Sequence, residues 1–549
     1  MSDRVQAVLG DPYDSSNPLA HEHILAADEQ GEVIAAGERA LAAHGVNAEF
    51  VPERLGGRFR QADSLTTGLR PVFRRDATLG IAYGITSFIG AVPVWTSGDQ
   101  AQQRWLAELL LAGGRCSAGY TELAHGADFG RTELSARRQG DSFVVRGGKQ
   151  LINNIERAQA VTVFARTSEQ PGSRSHSHLL IDLRAVKTTR LQRSRTGGMR
   201  GALLGAIEFD DCAVPASAVV GEPGGAMETV LRAFQATRSI LPGVVVGILD
   251  SQLRIVTRFA TTRRLYDGAV GDMPHVRAAL TGAFLDLLIA DCLALVGARA
   301  LHVLPGETSV LTAAVKYLVP KVLQEADYDL SVVLGARSYL RDGEYGIFGK
   351  NSRDLPVAAL AHASAAVCQA SIIPQLPALA RRSWLDAAPA PDSLFDLGAQ
   401  LPALRWHELA LNSRGADSVT AMLPALYGQC QGELRSVVAD LIAAFAELKT
   451  GCAQLAPRDR TVIAGPHSFD LAHRYAVLVA ASACLGVWSR RTDFLGDPAW
   501  VTAALRRLAE RLRGQRPTAV EPHPGLHGEL VHRFERDLAF DTTREPLYY

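Results

Sequence analysis

Residues 119–154 read GYTELAHGADFGRTELSARRQGDSFVVRGGKQLINN and mark the point where the periodicity of the chain changes. Within this stretch, SFVVRGGKQLI is short, contains β-branched and aromatic residues, and is bounded by turn-forming residues, so its pattern fits a strand better than a helix. Short runs of this kind bounded by turn residues are typical of a β-strand. Three similar short segments follow, namely AVTVFART, HSHLLIDL and AIEFDDCAVP. We therefore predict a middle antiparallel β domain over residues 116–225.

Helical patterns flank this β domain on both sides. Upstream, GDQAQQRWLAELLLAGG repeats apolar residues at helical spacing and ends at a glycine pair, which predicts an N-terminal α domain over residues 1–115. Downstream, long apolar segments at 228–266, 274–303 and 309–339 predict a four-helix bundle over residues 226–380. Pro242 should kink the first of these helices. Residues 381–549 follow a Pro/Ala-rich linker and are predicted to form an additional helical region, so the fold class is α+β.

Composition narrows the range of partners. The 57 Lys and Arg residues balance 57 Asp and Glu residues, so nucleic acid and membrane are not expected partners. The seven cysteines are scattered and never in CxxC spacing, which predicts buried thiols in a reducing cytoplasm. The N-terminus has no secretory pattern, and the short His pairs have no matching ligand set, so no metal site is predicted.

Several common catalytic patterns do not occur in the chain. No GxGxxG follows a predicted strand, and GxxxxGK[ST], HExxH and GxSxG are missing from the sequence. A nicotinamide-binding domain, a P-loop, a zincin and an α/β-hydrolase are therefore disfavoured.

A set of motifs in a fixed order is more informative. VPERLGG and GDQAQQRWL precede the quoted stretch, and GAIEFDDCAVPASAVVGEPGGAM, FQATRSILPGVVVG, ATTRRLYDGAV and LGARSYLRDGEYGIFGKNSRD follow it. Together these segments resemble the acyl-CoA dehydrogenase superfamily over roughly residues 30–375. The resemblance implies that FAD lies against the middle β domain and that the protein is a homodimer or homotetramer. It also implies an acyl thioester substrate, carried on CoA or on a carrier protein.

Site residues are transferred from the family by position. The resemblance implies cofactor contacts for Tyr120, Thr121, Leu151, Asn153, Arg263, Gly335 and Ser364. It implies substrate contacts for Ala127, Thr237 and Arg238. Leu151-Ile152-Asn153 stands where the family usually has Trp-Ile-Thr/Ser, and Ala127 replaces a serine that contacts the acyl-CoA. These departures predict a retained flavin site with an altered substrate side.

The position of the catalytic base also departs from the family pattern. Residues 353–364 read RDLPVAALAHAS, and His362 stands where the family has its glutamate, eight residues after the Asp of the RD pair. Some relatives carry the base immediately before the bundle arginine, but that position holds Thr237. His362 is therefore the candidate catalytic residue, because a neutral imidazole can accept an acidified proton near pH 7.

Three interpretations of function stay open. The first is an FAD-dependent oxidoreductase of secondary metabolism that desaturates the Cα–Cβ bond of an acyl or β-keto acyl substrate without the usual Glu base. The second is an enzyme of the epoxyketone synthase type, in which a β-keto acid loses CO₂ and the flavin uses O₂. The third is a scaffold or binding subunit that has lost catalysis. The sequence does not identify the acyl chain or the electron acceptor.

Overall fold

The computed structural model describes residues 2–361, 363–517 and 524–549. The N-terminal part is helical, as predicted, and consists of α1 (Ser2–Leu9), α2 (His21–Gln30), α3 (Ala35–Ala43), α4 (Ala62–Arg75), α5 (Ala77–Leu79), α6 (Thr86–Ser97) and α7 (Gln100–Leu111). A π-helix, Gly80–Ile85, joins α5 to α6. The Asp76 side chain accepts hydrogen bonds from Thr78 N and Leu79 N and so caps α5. Asp99 and Gln102 form a capping box at the start of α7.

The β domain contains β1 (Cys116–Gly119), β2 (Ser135–Gln139), β3 (Ser142–Asn153), β4 (Ala160–Arg166), β5 (His176–Asp182), β6 (Thr189–Leu191), β7 (Leu204–Pro215) and β8 (Val219–Val220). The strand order is β6-β7-β3-β2-β4-β5-β8, and β1 pairs with β4. The prediction of an antiparallel domain is wrong at β1, which runs parallel to β4, and at one bridge between β2 and β4. The side-chain pattern of a segment identifies a strand but carries no information about the direction of its neighbour. Here β2 and β3 lie between β1 and β4 in the sequence, so the chain returns to run parallel to β1.

The helical region after the sheet begins with the bundle. It comprises α8 (Ala226–Val244), α9 (Val246–Thr262), a hairpin of β9 (Arg264–Leu265) and β10 (Gly268–Ala269), α10 (Pro274–Val303), α11 (Thr308–Leu334), α12 (Gly346–Asp354), α13 (Val357–Leu360), α14 (Ala365–Ile372) and α15 (Leu376–Arg382). The predicted single helix over 228–266 is interrupted at Val245, three residues after Pro242. The helix predicted to reach residue 339 ends at Leu334, because Gly335 takes a positive φ of 64°.

The C-terminal region is helical, as predicted. It contains α16 (Met422–Leu426), α17 (Gly432–Ala453), α18 (Pro466–Trp488), α19 (Pro498–Leu512) and α20 (Pro524–Glu535). Helix α18 packs against both α10 and α11 of the bundle, and α19 packs against α18. The all-round apolar character of the long bundle helices, noted in the sequence, follows from this additional layer.

Apolar helices are common in the described residues. Five helical stretches are long and apolar enough to cross a membrane by length and composition alone: Ala77–Ser97, Ala226–Thr262, Pro274–Val303, Gly346–Arg382 and Pro466–Trp488. In four of them at least 83% of the apolar window is buried inside the protein. All seven cysteines are buried free thiols, which confirms their predicted role as apolar core residues.

A buried ion cluster joins the bundle to the C-terminal region. Asp286 of α10 accepts hydrogen bonds from Arg507 (2.5 Å) and Arg511 (3.3 Å) of α19. Burial alone would raise the pKa of Asp286, but the two guanidinium groups outweigh it and hold that pKa below 3.8. The carboxylate therefore stabilises the fold fully above the ordinary carboxyl pKa, and this contribution is lost as the pH falls through the lower folded-state value.

We predict that Asp286→Asn lowers the free energy of unfolding by about 3–5 kcal/mol, because it leaves two buried guanidinium groups without their shared charge. Urea denaturation at pH 7 measures the change. Glu53→Gln is the matched control, because Glu53 pairs with Arg60 on the surface and both side chains are exposed; it should change stability by no more than about 1 kcal/mol. Equal losses in the two variants would contradict the prediction.

Candidate functional site

The ends of β1 and β3 lie side by side and bring two predicted cofactor residues together. Gln150 N donates to Thr121 O (2.9 Å), and Leu123 N donates to Gln150 Oε1 (3.1 Å). The register between β3 and β7 shifts between Lys149 and Ile152, and Leu151 takes a φ of 53° there. This β-bulge leaves Leu151 39% exposed. Bulges commonly re-aim side chains beside functional sites, so Thr121 and Leu151 form one accessible edge of the sheet.

A buried ion pair holds this edge in place. Lys149 Nζ donates to Glu122 Oε1 (2.7 Å), Thr132 Oγ1 (3.2 Å) and Tyr120 O (3.4 Å). The Glu122 carboxylate also accepts from Glu133 N (2.8 Å) and Leu134 N (3.1 Å). Burial lowers the pKa of Lys149, whereas the Glu122 carboxylate opposes that shift. The pair was not among the predicted site residues, although both members lie in the opening stretch of the sequence analysis.

Tyr120 is placed differently from a simple cofactor contact. Its ring is buried and stacks on His178 at 5.5 Å between centroids, and it meets Phe234 of α8 edge-on at 5.4 Å. Burial lowers the pKa of His178 to about 3, so this imidazole is neutral. The Tyr120 side chain therefore packs the β domain against the bundle.

Asn153 and Asn154 bind the π-helix of the N-terminal domain. Asn153 Nδ2 donates to Thr86 Oγ1 (2.7 Å) and Ile81 O (3.3 Å), and Asn154 Nδ2 donates to Ala82 O (2.5 Å). Because Ile81 O accepts only, the amide orientation of Asn153 follows from this network. Asn153 Oδ1 is left buried without a hydrogen-bond partner among the described residues. A buried acceptor of this kind calls for a donor from outside the chain or from water.

The predicted substrate residues lie deeper, on the bundle. Thr237 is buried and its Oγ1 donates to Phe234 O (3.2 Å), one turn earlier in α8. The guanidinium of Arg238 lies 5.7 Å from the Phe234 ring centroid. Lys316 of α11 donates to Ala358 O (2.6 Å) and Ala361 O (2.9 Å). Lys316 thus connects α11 to the RDLPVAALA segment. The predicted base, His362, lies outside the described residues.

The remaining predicted residues are not gathered at this edge. Arg263 is exposed at the C-terminal end of α9, and Gly335 follows α11. Arg337 lies 5.4 Å from the Phe259 ring and links these two helix ends to each other. Ala127 is exposed in the loop between β1 and β2. Ser364 caps α14 through Val367 N at 3.5 Å.

The edge suits a flavin in its chemistry. A flavin needs an apolar contact for its ring system and hydrogen-bond partners for its polar atoms. Leu151 supplies an exposed apolar side chain, Thr121 supplies a hydroxyl with no hydrogen bond inside the described chain, and Asn153 Oδ1 supplies the unpaired acceptor. The residues present therefore fit the group. No cluster of three or more potential metal ligands exists in the described ranges.

Fold and site together define a β domain enclosed by two helical domains, with a cofactor-type edge at the junction. Residues 117–212 match the family described as "Acyl-CoA dehydrogenase, middle domain". This match, which covers most of the β domain, supports the resemblance to the acyl-CoA dehydrogenase superfamily that the sequence motifs indicate. A curated relative, human mitochondrial short-chain specific acyl-CoA dehydrogenase, is 24% identical over 244 residues. That alignment covers 44% of this chain and 59% of the relative, so the chain spans less than two thirds of the relative's length.

Solved structures share the fold. Butyryl-CoA dehydrogenase from Megasphaera elsdenii has a TM-score of 0.61 at 18% identity and covers 68% of this chain and 96% of its own. The prolyl acyl carrier protein oxidase AnaB has a TM-score of 0.59 at 17% identity, with the same coverage. The FAD complex of PigA has a TM-score of 0.60 at 18% identity and covers 68% of this chain and 97% of its own. At these identities the likeness shows the fold alone, which confirms the predicted fold class.

We predict that Glu122→Ala lowers the free energy of unfolding by about 3 kcal/mol, because Lys149 is then buried without its counter-charge. Amide hydrogen exchange should also speed up in residues 120–134, where two backbone amides lose their acceptor. Glu133→Ala is the control, because that side chain is exposed and lies in the same loop. Unchanged exchange in Glu122→Ala would show that the loop does not depend on this carboxylate.

Proposed function

We propose that the protein is an FAD-dependent oxidoreductase that acts on an acyl or β-keto acyl substrate in secondary metabolism. The observation that carries this proposal is the sheet edge formed by Thr121, Leu151 and the unpaired Asn153 Oδ1. Ring contacts connect this edge to the bundle. Tyr120, next to Thr121, contacts the Phe234 ring, and Arg238 lies over that same ring. The substrate is proposed to be carried as a thioester of CoA or of a carrier protein, or to be a free β-keto acid. We also propose that the protein is a cytoplasmic homodimer or homotetramer.

The proposed site has a cofactor side at the sheet edge and a substrate side on the bundle. Bound FAD supplies a hydride acceptor. Thr121, Leu151 and Asn153 would hold the FAD. Arg263 of a neighbouring subunit would form an ion pair with the diphosphate of the FAD, since arginine makes bidentate hydrogen bonds to phosphate oxygens. On the bundle side, the positive charge of Arg238 favours an anionic substrate group. His362 is proposed to accept the α-proton, because an imidazole with a pKa near 6.5 is largely neutral at pH 7.

A second candidate function is an oxygen-using enzyme that first decarboxylates a β-keto acid. Two features of the bundle favour it. Arg238 and Lys316 have no carboxylate within ion-pair distance among the described residues, and Thr237 stands where some relatives carry the base. If the substrate forms its enolate by losing CO₂, no strong base is needed. The electron acceptor, O₂ or another flavoprotein, distinguishes this candidate from a plain dehydrogenase.

The visible spectrum of the purified protein tests the cofactor. We expect a yellow protein with flavin absorption that retains FAD through gel filtration, because the site residues fit the group. Anaerobic reduction by a candidate substrate, followed by air, then separates the two candidates, since fast reoxidation indicates an oxidase or monooxygenase and slow reoxidation a dehydrogenase. A colourless protein that takes up no added FAD would instead support the scaffold interpretation.

For His362 we predict that His362→Ala slows anaerobic flavin reduction by at least about 100-fold, the usual loss when a general base is removed. Stopped-flow absorbance measures the rate. His407→Ala is the matched control, because that imidazole is on the surface and its ion-pair partner among the described residues is Glu408 at 3.9 Å. A reductive rate equal to that of the unmodified protein would exclude His362 as the base.

A further inference from the structure

We propose that Arg238 and Lys316 form a binding site for a carboxylate, and that the substrate is therefore an acyl compound with a free carboxylate group, such as a β-keto acid. This inference rests on the proposed function and names the substrate class of the same site. It does not follow from the family resemblance, which supplies Arg238 as a substrate contact but says nothing of Lys316.

Burial and charge single out this pair. Arg238 is 4% exposed and Lys316 is 1% exposed, and Arg238 Nε is buried with no hydrogen-bond partner in the described part of the chain. Lys316 donates only to the carbonyls of Ala358 and Ala361. Isolated charges are costly to bury, so buried cations are normally paired with acids. Here the described residues offer neither cation a carboxylate.

Other buried cations of this protein follow the rule. Each of the following contacts at least one carboxylate: Arg70, Arg74, Lys149, Arg299, Lys350, Arg507 and Arg511. Arg75 contacts none, but its guanidinium is satisfied by the carbonyls of Leu9, Gly10 and Leu19. Arg238 departs from this pattern, because its buried Nε has neither a carboxylate nor a carbonyl partner among the described residues, and Lys316 keeps one N–H beyond its two carbonyl contacts.

The helices that carry the two cations pack against each other, and Ser239 and Val315, next to Arg238 and Lys316 in the chain, both border Gly297 of α10. Burial lowers the pKa of Lys316 to about 8, and the charge of Arg238 contributes to that shift. The charges of both residues also reach the buried thiol of Cys368, whose pKa burial nevertheless raises, so that thiol stays protonated and supplies no negative charge. An anion bound between the two cations would relieve their repulsion and supply the missing counter-charge.

The position of the pair suits substrate recognition. Arg238 lies over the Phe234 ring, and Phe234 contacts Tyr120, the residue directly before Thr121 at the cofactor edge. Lys316 binds the segment that leads to position 362. A bound carboxylate would thus lie between the cofactor edge and the segment at residues 358–361.

The donors of the pair match a carboxylate. A guanidinium presents parallel N–H groups that fit the two oxygens of a carboxylate. The Lys316 ammonium has three donors, two of which are used by Ala358 O and Ala361 O, so one remains for a ligand.

Titration calorimetry on the purified FAD-loaded protein tests the site, with acetoacetate as the probe and methyl acetoacetate as its uncharged counterpart. We expect acetoacetate to bind saturably and at least tenfold more tightly than the ester. Acetoacetate should also raise the thermal unfolding midpoint, because a ligand that binds only the folded state stabilises it. Equal binding of acid and ester, or no saturable binding of acetoacetate, would overturn the proposal.

Variants then assign the binding to the pair. Arg238→Gln and Lys316→Met should each weaken acetoacetate binding at least tenfold. Arg232→Gln on α8 and Lys321→Gln on α11 are the matched controls, because each removes a cation from the same helix that already pairs with Glu228 or Glu325, respectively; their affinity should stay within twofold. Unchanged affinity in both pair variants would overturn the proposal.

Two further measurements keep the test decisive. If Arg238→Gln does not fold, Arg238→Lys retains the charge and should bind acetoacetate more weakly than wild type but still more tightly than the ester; loss of that preference would overturn the proposal. Flavin content is measured separately. A colourless protein that still prefers acetoacetate would reject the flavoenzyme proposal and keep the carboxylate site, whereas a yellow protein without that preference would reject the carboxylate site alone.

Discussion

A single buried ammonium joins the three parts of the molecule that surround the site. Lys350 Nζ of α12 donates to Asp76 Oδ1 (2.5 Å) and Asp354 Oδ2 (2.6 Å). Asp76 caps α5 in the N-terminal domain, and Asp354 also accepts from Met199 N in the β domain (2.5 Å). Both carboxylates together raise the pKa of Lys350 against the effect of burial. The β domain is thereby held between the two helical domains, and the position of the cofactor edge depends on this contact.

The C-terminal residues are part of the same core. Asp541 lies within ion-pair distance of both Arg70 (3.0 Å) and Arg74 (3.7 Å) of α4, and Thr542 N donates to Asp291 Oδ2 of α10 (2.8 Å). Arg254 of α9 lies 4.9 Å from the Phe540 ring centroid and 5.2 Å from that of Tyr549. A segment that the sequence shows only as a loop-rich tail therefore neutralises two buried arginines of the N-terminal domain.

The site residues proposed from the sequence stay predictions, and the contacts around them are seen only in the structure. The residue types at Thr121, Leu151, Thr237 and Arg238 could be assigned from the motifs, and the structure brings them to neighbouring surfaces. The partners of Asn153 were missed, because a hydrogen bond to the π-helix depends on packing between two domains. Lys316 was missed as well. The one available signal was a single lysine in the apolar run VLTAAVKYLVP, where a cation is unexpected in a core helix.

By itself the sequence determined most element types, their order and the resemblance to the superfamily, because strand and helix periodicities and motif order are local properties that neighbouring residues carry. The resemblance also predicts that His362 and Thr237, and no carboxylate, occupy the two positions where the superfamily keeps its base. Only the tertiary structure decided the parallel pairing of β1 with β4 and the burial of Arg238 and Lys316 without a carboxylate partner among the described residues. Lys350 and Asp76 are 274 residues apart, and Arg70 and Asp541 are 471 apart. Packing alone brings such charges together, so no local pattern reveals which of them find a partner and which are left for a ligand.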